Sequence, residues 1–265
     1  MEAENLIVKK TVFPSLSEMF NLKDRCSIIA GPCSVESIEQ IEQIAETLIR
    51  NNVKFLRGGA FKPRSSPYDF QGLGLDGLKI LNSIGQQYGL LIVSEIMEPG
   101  HIEYGLRYTD IIQIGSRNMQ NTPLLKEVGK TNHPVLLKRG MMSTVNEFIL
   151  AAEYIAAGGN RNIILCERGI RTFEDATRNT LDISAIAIIQ KETYLPVIAD
   201  LSHSLGRTDI IEPVAKAVLA MNISGIMLEV HNNPANALSD SKQQMSLEAF
   251  SNLMAKTFNK KQQIT

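Results

Sequence analysis

Ser27-Ile28-Ile29-Ala30-Gly31-Pro32-Cys33 is the stretch that decides the fold of this chain. A short run suited to a strand passes straight into Gly-Pro-Cys. An open doubly wound sheet would be expected to carry a GxGxxG turn there, after its first strand. The hydrophobicity is continuous rather than alternating, which a strand buried on both faces requires.

Seven further runs of the same kind follow: Val53 to Leu56, Leu90 to Val93, Asp110 to Ile114, Val135 to Leu137, Asn162 to Leu165, Val197 to Ala199 and Ile226 to Leu228. Between them lie stretches of helical length with apolar residues three and four apart. Examples are Ile38-Ile41-Ile44-Ala45-Leu48, Val145-Phe148-Ile149-Ala152 and Ile211-Val214-Ala215-Val218. Several end in glycine, as at Gly89 and Gly158-Gly159. Eight strand–helix alternations predict an α/β fold, a (β/α)8 TIM barrel. Residues 1–26 read as a short N-terminal extension, with Val8 to Phe13 as a small strand across the barrel floor, and residues 27–265 as the barrel catalytic domain. No linker or low-complexity tract divides the chain.

The 265 residues carry a formal net charge of −1, with 44% hydrophobic and 21% charged residues. That balance fits an ordinary globular protein and argues against general attraction to nucleic acid or membrane, so any anion binding is local. No apolar stretch approaches the ~20 residues of a membrane span. The start Met1-Glu2-Ala3-Glu4-Asn5 is not that of a signal peptide. Cys26, Cys33 and Cys166 form neither a CxxC nor an even framework, which points to a reducing cytoplasm.

In a barrel of this kind the chemistry sits where the strands end. Those ends read Cys33; Arg57 with Lys62 and Arg64; Glu95; Arg117; Lys138 with Arg139; Glu167 with Arg168; Asp200 with His203; and Glu229 with His231. The loop Phe61-Lys62-Pro63-Arg64-Ser65-Ser66-Pro67-Tyr68 sets two cations and two hydroxyls between two prolines, a donor set suited to phosphate. Arg57, Lys62, Arg64, Arg117, Lys138 and Arg168 are cations suited to one or two phosphates and a carboxylate. Cys33, His203, Glu229 and Asp240 can form a mixed soft and hard metal site for Mn, Fe, Co or Zn. Read alone, Cys33 also suits a small buried hydrophobe, and Glu95 a salt bridge to a mouth cation.

Six ordered motifs carry a resemblance: Ala30-Gly31-Pro32-Cys33-Ser34-Val35-Glu36-Ser37, Arg57-Gly58-Gly59-Ala60 running into the loop above, Gly115-Ser116-Arg117-Asn118-Met119-Gln120-Asn121, Leu137-Lys138-Arg139-Gly140, Cys166-Glu167-Arg168-Gly169 and Leu238-Ser239-Asp240. From about residue 26 to 255 the chain resembles the 3-deoxy-D-arabino-heptulosonate 7-phosphate (DAHP) synthases, in their short Iβ branch without a regulatory domain. These enzymes condense phosphoenolpyruvate with erythrose 4-phosphate, opening the shikimate pathway. The resemblance implies Cys33, His203, Glu229 and Asp240 as ligands of a divalent metal. It implies Arg57, Lys62, Arg117, Lys138 and Arg168 at phosphoenolpyruvate, and Arg64, Ser65 and Ser66 at erythrose 4-phosphate. Lys138, Glu95 and Lys62 are the expected catalytic residues, with Glu95 orienting or deprotonating the attacking water and the metal polarising the aldehyde.

The related 3-deoxy-D-manno-octulosonate 8-phosphate synthases, which use arabinose 5-phosphate, typically read Asn-Arg-Ser-Ser where this chain has Lys62-Pro63-Arg64-Ser65-Ser66. That enzyme and a non-catalytic phosphometabolite-binding barrel are the alternatives. Leu201 stands where many relatives carry proline, a change expected to loosen the loop before His203. A homo-oligomer, dimer or tetramer, is expected. With only 26 residues ahead of the first strand, tight feedback by aromatic amino acids is not.

Overall fold

The computed structural model describes residues 5–23, 26–62, 66 and 68–258. Eight parallel strands run in chain order: β1 Ser27–Gly31, β2 Phe55–Arg57, β3 Leu91–Glu95, β4 Ile111–Ile114, β5 Val135–Lys138, β6 Ile163–Glu167, β7 Val197–Asp200 and β8 Gly225–His231. Each pairs with the next, and β1 pairs with β8 from Ser27↔Gly225 to Gly31↔Glu229, which closes the ring. A two-residue strand, β9 Met245–Ser246, extends the pairing beyond β8. The (β/α)8 expectation is borne out.

The helices are α1 Ile7–Lys10, α2 Leu16–Met19, α3 Ile38–Arg50, α4 Leu75–Tyr88, α5 Ile102–Tyr108, α6 Thr122–Gly129, α7 Val145–Ala157, α8 Ile183–Glu192, α9 Leu201–Leu205, α10 Ile211–Leu219 and α11 Leu247–Leu253. The periodic stripes lie where the spacing put them. Ile41, Ile44, Ala45 and Leu48 of α3 are buried, whereas Ile38 at its first turn is exposed. Gly89 ends α4 in the left-handed region at φ 65°.

Val8 to Phe13, expected as a strand, is not one: α1 occupies its start. At the floor every ring strand is already paired on both sides, and only the mouth end of β8, beyond Glu229, takes a further partner, β9. The helix finds its partner in α7, where the Glu153 carboxylate accepts the N–H groups of Ile7 and Val8 at 2.9 and 3.1 Å. The floor is closed instead by α2, whose Leu16 is wholly buried among the inward residues of the strands. Phe20 packs edge-on against Phe55, with ring centroids 5.3 Å apart. Burying a leucine this fully contributes about 1.5–3 kcal/mol.

The strands also extend further toward the mouth than their apolar runs suggest. Arg57, Glu95, Lys138, Glu167, Asp200 and Glu229 are strand residues rather than loop residues. Side chains alternate along a strand, so inward positions recur every second residue. Phe55, Val93, Leu136, Ile198 and Met227 fill the barrel interior. Two residues on, in the same strands, stand Arg57, Glu95, Lys138, Asp200 and Glu229. An apolar layer thus lies directly beneath an ionisable one, about 6–7 Å along the strand.

Candidate active site at the barrel mouth

That ionisable layer opens into a cavity of about 180 Å³, lined by residues that include Arg57, Lys62, Glu95, Arg117, Lys138, Arg168, Arg178, His203 and Asp240. Groups drawn from all parts of the barrel chain therefore meet in one place. Parity along the strands sorts them. Arg139 and Glu167, read from sequence as mouth residues, stand just past β5 and at the end of β6, facing away from the cavity. There they pair with each other at 2.9 Å, and Arg139 reaches Asp182 of the α8 N-cap at 3.0 Å. They brace strand to helix and do not line the cavity.

Sγ of Cys33, a carboxylate oxygen of Glu229 and one of Asp240 lie within 4.8 Å of one another. His203 joins at the Glu229 corner, its Nε2 3.5 Å from Glu229 Oε1. Asp200 caps α9 by accepting the His203 N–H and also takes the ring Nδ1–H at 2.7 Å. This fixes the imidazole so that Nε2 faces the carboxylate, the usual support for a metal-bound histidine. Burial lowers the His203 pKa below its ordinary value against the pull of Asp200 and Glu229, which favours the neutral ring a metal would need. A thiol and two carboxylates within this span, with an imidazole beside Glu229, fit a divalent transition metal.

Each ligand-bearing segment has a local cause. Gly31 sits at φ 151°, and a Cβ there would come 2.0 Å from the Arg57 carbonyl, so only glycine lets β1 turn into the Cys33 loop. Leu201, expected to loosen the site, stands at the first position of α9 and is wholly buried in the core. It replaces proline's stiffness with packing. Asp240 follows β8 in the left-handed region at φ 47°, ψ 37°.

The charges are interlocked. Arg57 and Glu229 pair at 2.5 Å, almost fully buried, and Lys138 and Asp200 do the same at 2.5 Å. Burial alone would raise the carboxyl pKa of Glu229, but His203 and Arg57 prevail and lower it to about 2. Asp240 is driven well below its ordinary value in the same sense, chiefly by Arg178, with which it pairs at 3.1 Å. Burial and the neighbouring Glu229 push the Cys33 thiol up to about 11. A bound cation must therefore displace its proton. Lys62 Nζ lies 3.0 Å from both the Cys33 sulfur and its carbonyl oxygen.

Arg117 and Arg168 form no ion pair among the described residues. Two lining guanidiniums without a carboxylate partner leave the cavity cationic and ready for an anion. Among the described residues Glu95 is not paired with a mouth cation either. Its Oε2 accepts from Gln113 Nε2 at 3.1 Å, and Gly115 makes its space, since a Cβ there would meet Glu95 Oε1 at 2.0 Å. Of the erythrose 4-phosphate set, Arg64 and Ser65 lie outside the described residues. Ser66 accepts the Tyr68 N–H at 3.2 Å within its own loop.

Sequence reading missed Arg178, Gln243 and Gln244. Arg178 belongs to no strand end, and glutamines carry no charge or periodicity to draw notice. Their one signal was proximity to Leu238-Ser239-Asp240.

A closed parallel barrel with a soft–hard ligand cluster beside a cationic cavity at its C-terminal face defines a (β/α)8 enzyme acting on anionic substrates. The DAHP synthetase I family model matches residues 15–264, and the chain belongs to that family. It is 54% identical over 228 residues to phospho-2-dehydro-3-deoxyheptonate aldolase of Thermotoga maritima, covering 86% of this chain and 68% of that protein. The crystal structure of that Thermotoga enzyme superposes with a TM-score of 0.84 at 53% identity, over 87% of this chain and 68% of the other. A truncated form of 3-deoxy-D-arabino-heptulosonate 7-phosphate synthase, also from Thermotoga maritima, gives 0.81 at 52% identity, over 87% of this chain and 84% of the other. The 2-dehydro-3-deoxyphosphooctonate aldolase of Acidithiobacillus ferrooxidans is 28% identical over 233 residues, 80% of this chain and 81% of that protein.

Proposed function

We propose that the barrel mouth condenses phosphoenolpyruvate with erythrose 4-phosphate through the residues assembled there. The chain is a transferase, a 3-deoxy-7-phosphoheptulonate synthase, and its product, DAHP, opens the shikimate pathway. The observation that carries the site assignment is the junction of the Cys33–Glu229–Asp240 cluster with a cavity walled by Lys62, Arg117, Lys138 and Arg168. A donor set for a divalent metal and a receptor for a phosphorylated acid share one space.

Arg117 and Arg168, free of carboxylates, receive the phosphate and carboxylate of phosphoenolpyruvate with Arg57, Lys62 and Lys138. Lys138 is positioned by its contact with Asp200 at the base of the pocket. Arg64, Ser65 and Ser66 receive the phosphate of the four-carbon sugar. Cys33, His203, Glu229 and Asp240 would hold the divalent metal, which when bound supplies Lewis-acid polarisation of the aldehyde. C3 of phosphoenolpyruvate attacks the aldehyde carbon, a water adds at C2, and phosphate leaves by C–O cleavage. Glu95 orients or deprotonates that water, its far oxygen fixed by Gln113. The protein acts in the cytoplasm as a homo-oligomer, on one catalytic barrel over residues 27–265 after a 26-residue extension. No described helix is long and apolar enough to cross a membrane.

The test follows phosphoenolpyruvate consumption with erythrose 4-phosphate and with arabinose 5-phosphate, before and after chelation. Metal-dependent turnover of the four-carbon sugar is expected. Preference for arabinose 5-phosphate, or full activity in metal-free protein, overturns the reading. Glu95→Gln should lower kcat by ~10²–10⁴-fold with little change in either KM.

A further inference from the structure

Gln243 and Gln244 are adjacent, 2% and 3% exposed, and reach different groups from one short segment between Asp240 and β9. Gln243 Nε2 donates to Glu229 Oε2 at 2.5 Å and to Asp240 Oδ2 at 3.4 Å, while its Oε1 accepts from Arg178 at 2.5 Å. Gln244 Oε1 accepts the Cys33 backbone N–H at 2.9 Å, and its Nε2 donates to the Ser239 carbonyl at 2.8 Å. Three of the four candidate metal ligands thus connect to two neighbouring side chains. The β9–β8 register, Val230↔Met245, sets that pair beside Glu229.

Burying two primary amides is unfavourable unless every polar atom is met. Packing alone would be served by two hydrophobes. Here each amide spends its hydrogen bonds on groups that carry a ligand or adjoin one. Asp240 stands in the left-handed region, which a residue with a Cβ adopts less readily than glycine, so its neighbours help to hold it there.

We propose that Gln243 and Gln244 are positioning residues for a divalent cation at Cys33, His203, Glu229 and Asp240. Gln243 occupies the far oxygen of Glu229 and holds Asp240 toward it, fixing the separation of the two carboxylates. Gln244 ties the Cys33 backbone to the carbonyl before Asp240, fixing the thiol against the carboxylates. The proposal rests on the metal reading of this cluster.

Wild type, Gln243→Met and Gln244→Met, each in full-length protein stripped with chelator, would be titrated with cobalt(II) and followed by absorption. Partners of this kind typically contribute 10–100-fold to metal affinity, so each variant should raise the cobalt dissociation constant by about that factor. Gln243→Met should move the ligand-field bands and keep the sulfur-to-cobalt charge-transfer band, whereas Gln244→Met should shift or weaken the latter. Affinities within about twofold of wild type, with superimposable spectra, overturn the positioning role. Should a methionine variant fail to fold, Gln243→Asn and Gln244→Asn, each one methylene too short, read the same quantities. A wild-type spectrum with no sulfur-to-cobalt band instead defeats the metal reading, a different failure from unchanged variants.

Discussion

At the floor of the barrel Phe55, Val93, Leu136, Ile198 and Met227 pack without a charge among them, and two residues further along the same strands stand Arg57, Glu95, Lys138, Asp200 and Glu229. The lower layer meets Leu16 and Phe20, and the upper layer meets the cavity. Five strands therefore make the same change from apolar to ionisable within one pleat. The lower layer supplies burial energy. The upper layer gives some of it back, since desolvating ions costs several kcal/mol each and is offset only by close pairing. Stability and chemistry are separated along the strand axis, not between parts of the sequence.

The largest expected effect comes from breaking the upper layer. Glu229→Ala removes a candidate ligand and leaves Arg57 buried without its partner. Chemical denaturation should show a loss of ~3–5 kcal/mol, with activity abolished and cobalt binding weakened. Phe55→Ala, in the layer directly beneath, should cost a similar ~3–5 kcal/mol by opening a cavity. Its kcat per folded molecule should stay at the wild-type value in a steady-state assay. A drop in kcat there would mean the two layers are not separable.

Acid should distinguish the layers next. Burial would raise the Asp200 carboxyl, but His203 and Lys138 hold it well below its ordinary 3.8. A depressed folded-state value means stabilisation that is complete above the ordinary value and withdrawn as pH falls below it. Melting temperature of metal-free protein should therefore decline below about pH 4, and Asp200→Asn should flatten that decline. The smallest effect belongs to neither layer. Thr144 and Glu147 form a capping box at the start of α7, and Thr144→Ala should cost ~1 kcal/mol by calorimetry while leaving kcat and metal affinity unchanged.

The barrel was legible in the sequence because parallel strands buried on both faces leave continuous apolar runs. Those runs marked the strands but understated their ends, since a charged residue breaks the pattern while the ladder continues. Period-two parity would have separated Lys138, inward, from Arg139, outward. Grouping them by nearness to a strand end merged site and scaffold. Cys33, His203, Glu229 and Asp240 were legible through the resemblance, and their residue types alone made only a mixed donor set. The strand read at Val8 to Phe13 failed because the ring strands are already paired on both sides at the floor. Gln243 and Gln244 left no mark because an amide's importance lies wholly in what it reaches.

The ring closes where β1 meets β8, and the ligand cluster straddles that seam, with Cys33 on one side and Glu229 and Asp240 on the other. During synthesis on the ribosome Cys33 emerges early and then waits for nearly three-quarters of the chain before its first carboxylate partner, Glu229, exists. A nascent barrel lacking its eighth strand can hold neither the seam nor the cluster. Loading of a metal at this candidate site would thereby be tied to completion of the ring, and a bound cation would act as a clasp across the last joint to form, resisting the step by which the barrel first comes open.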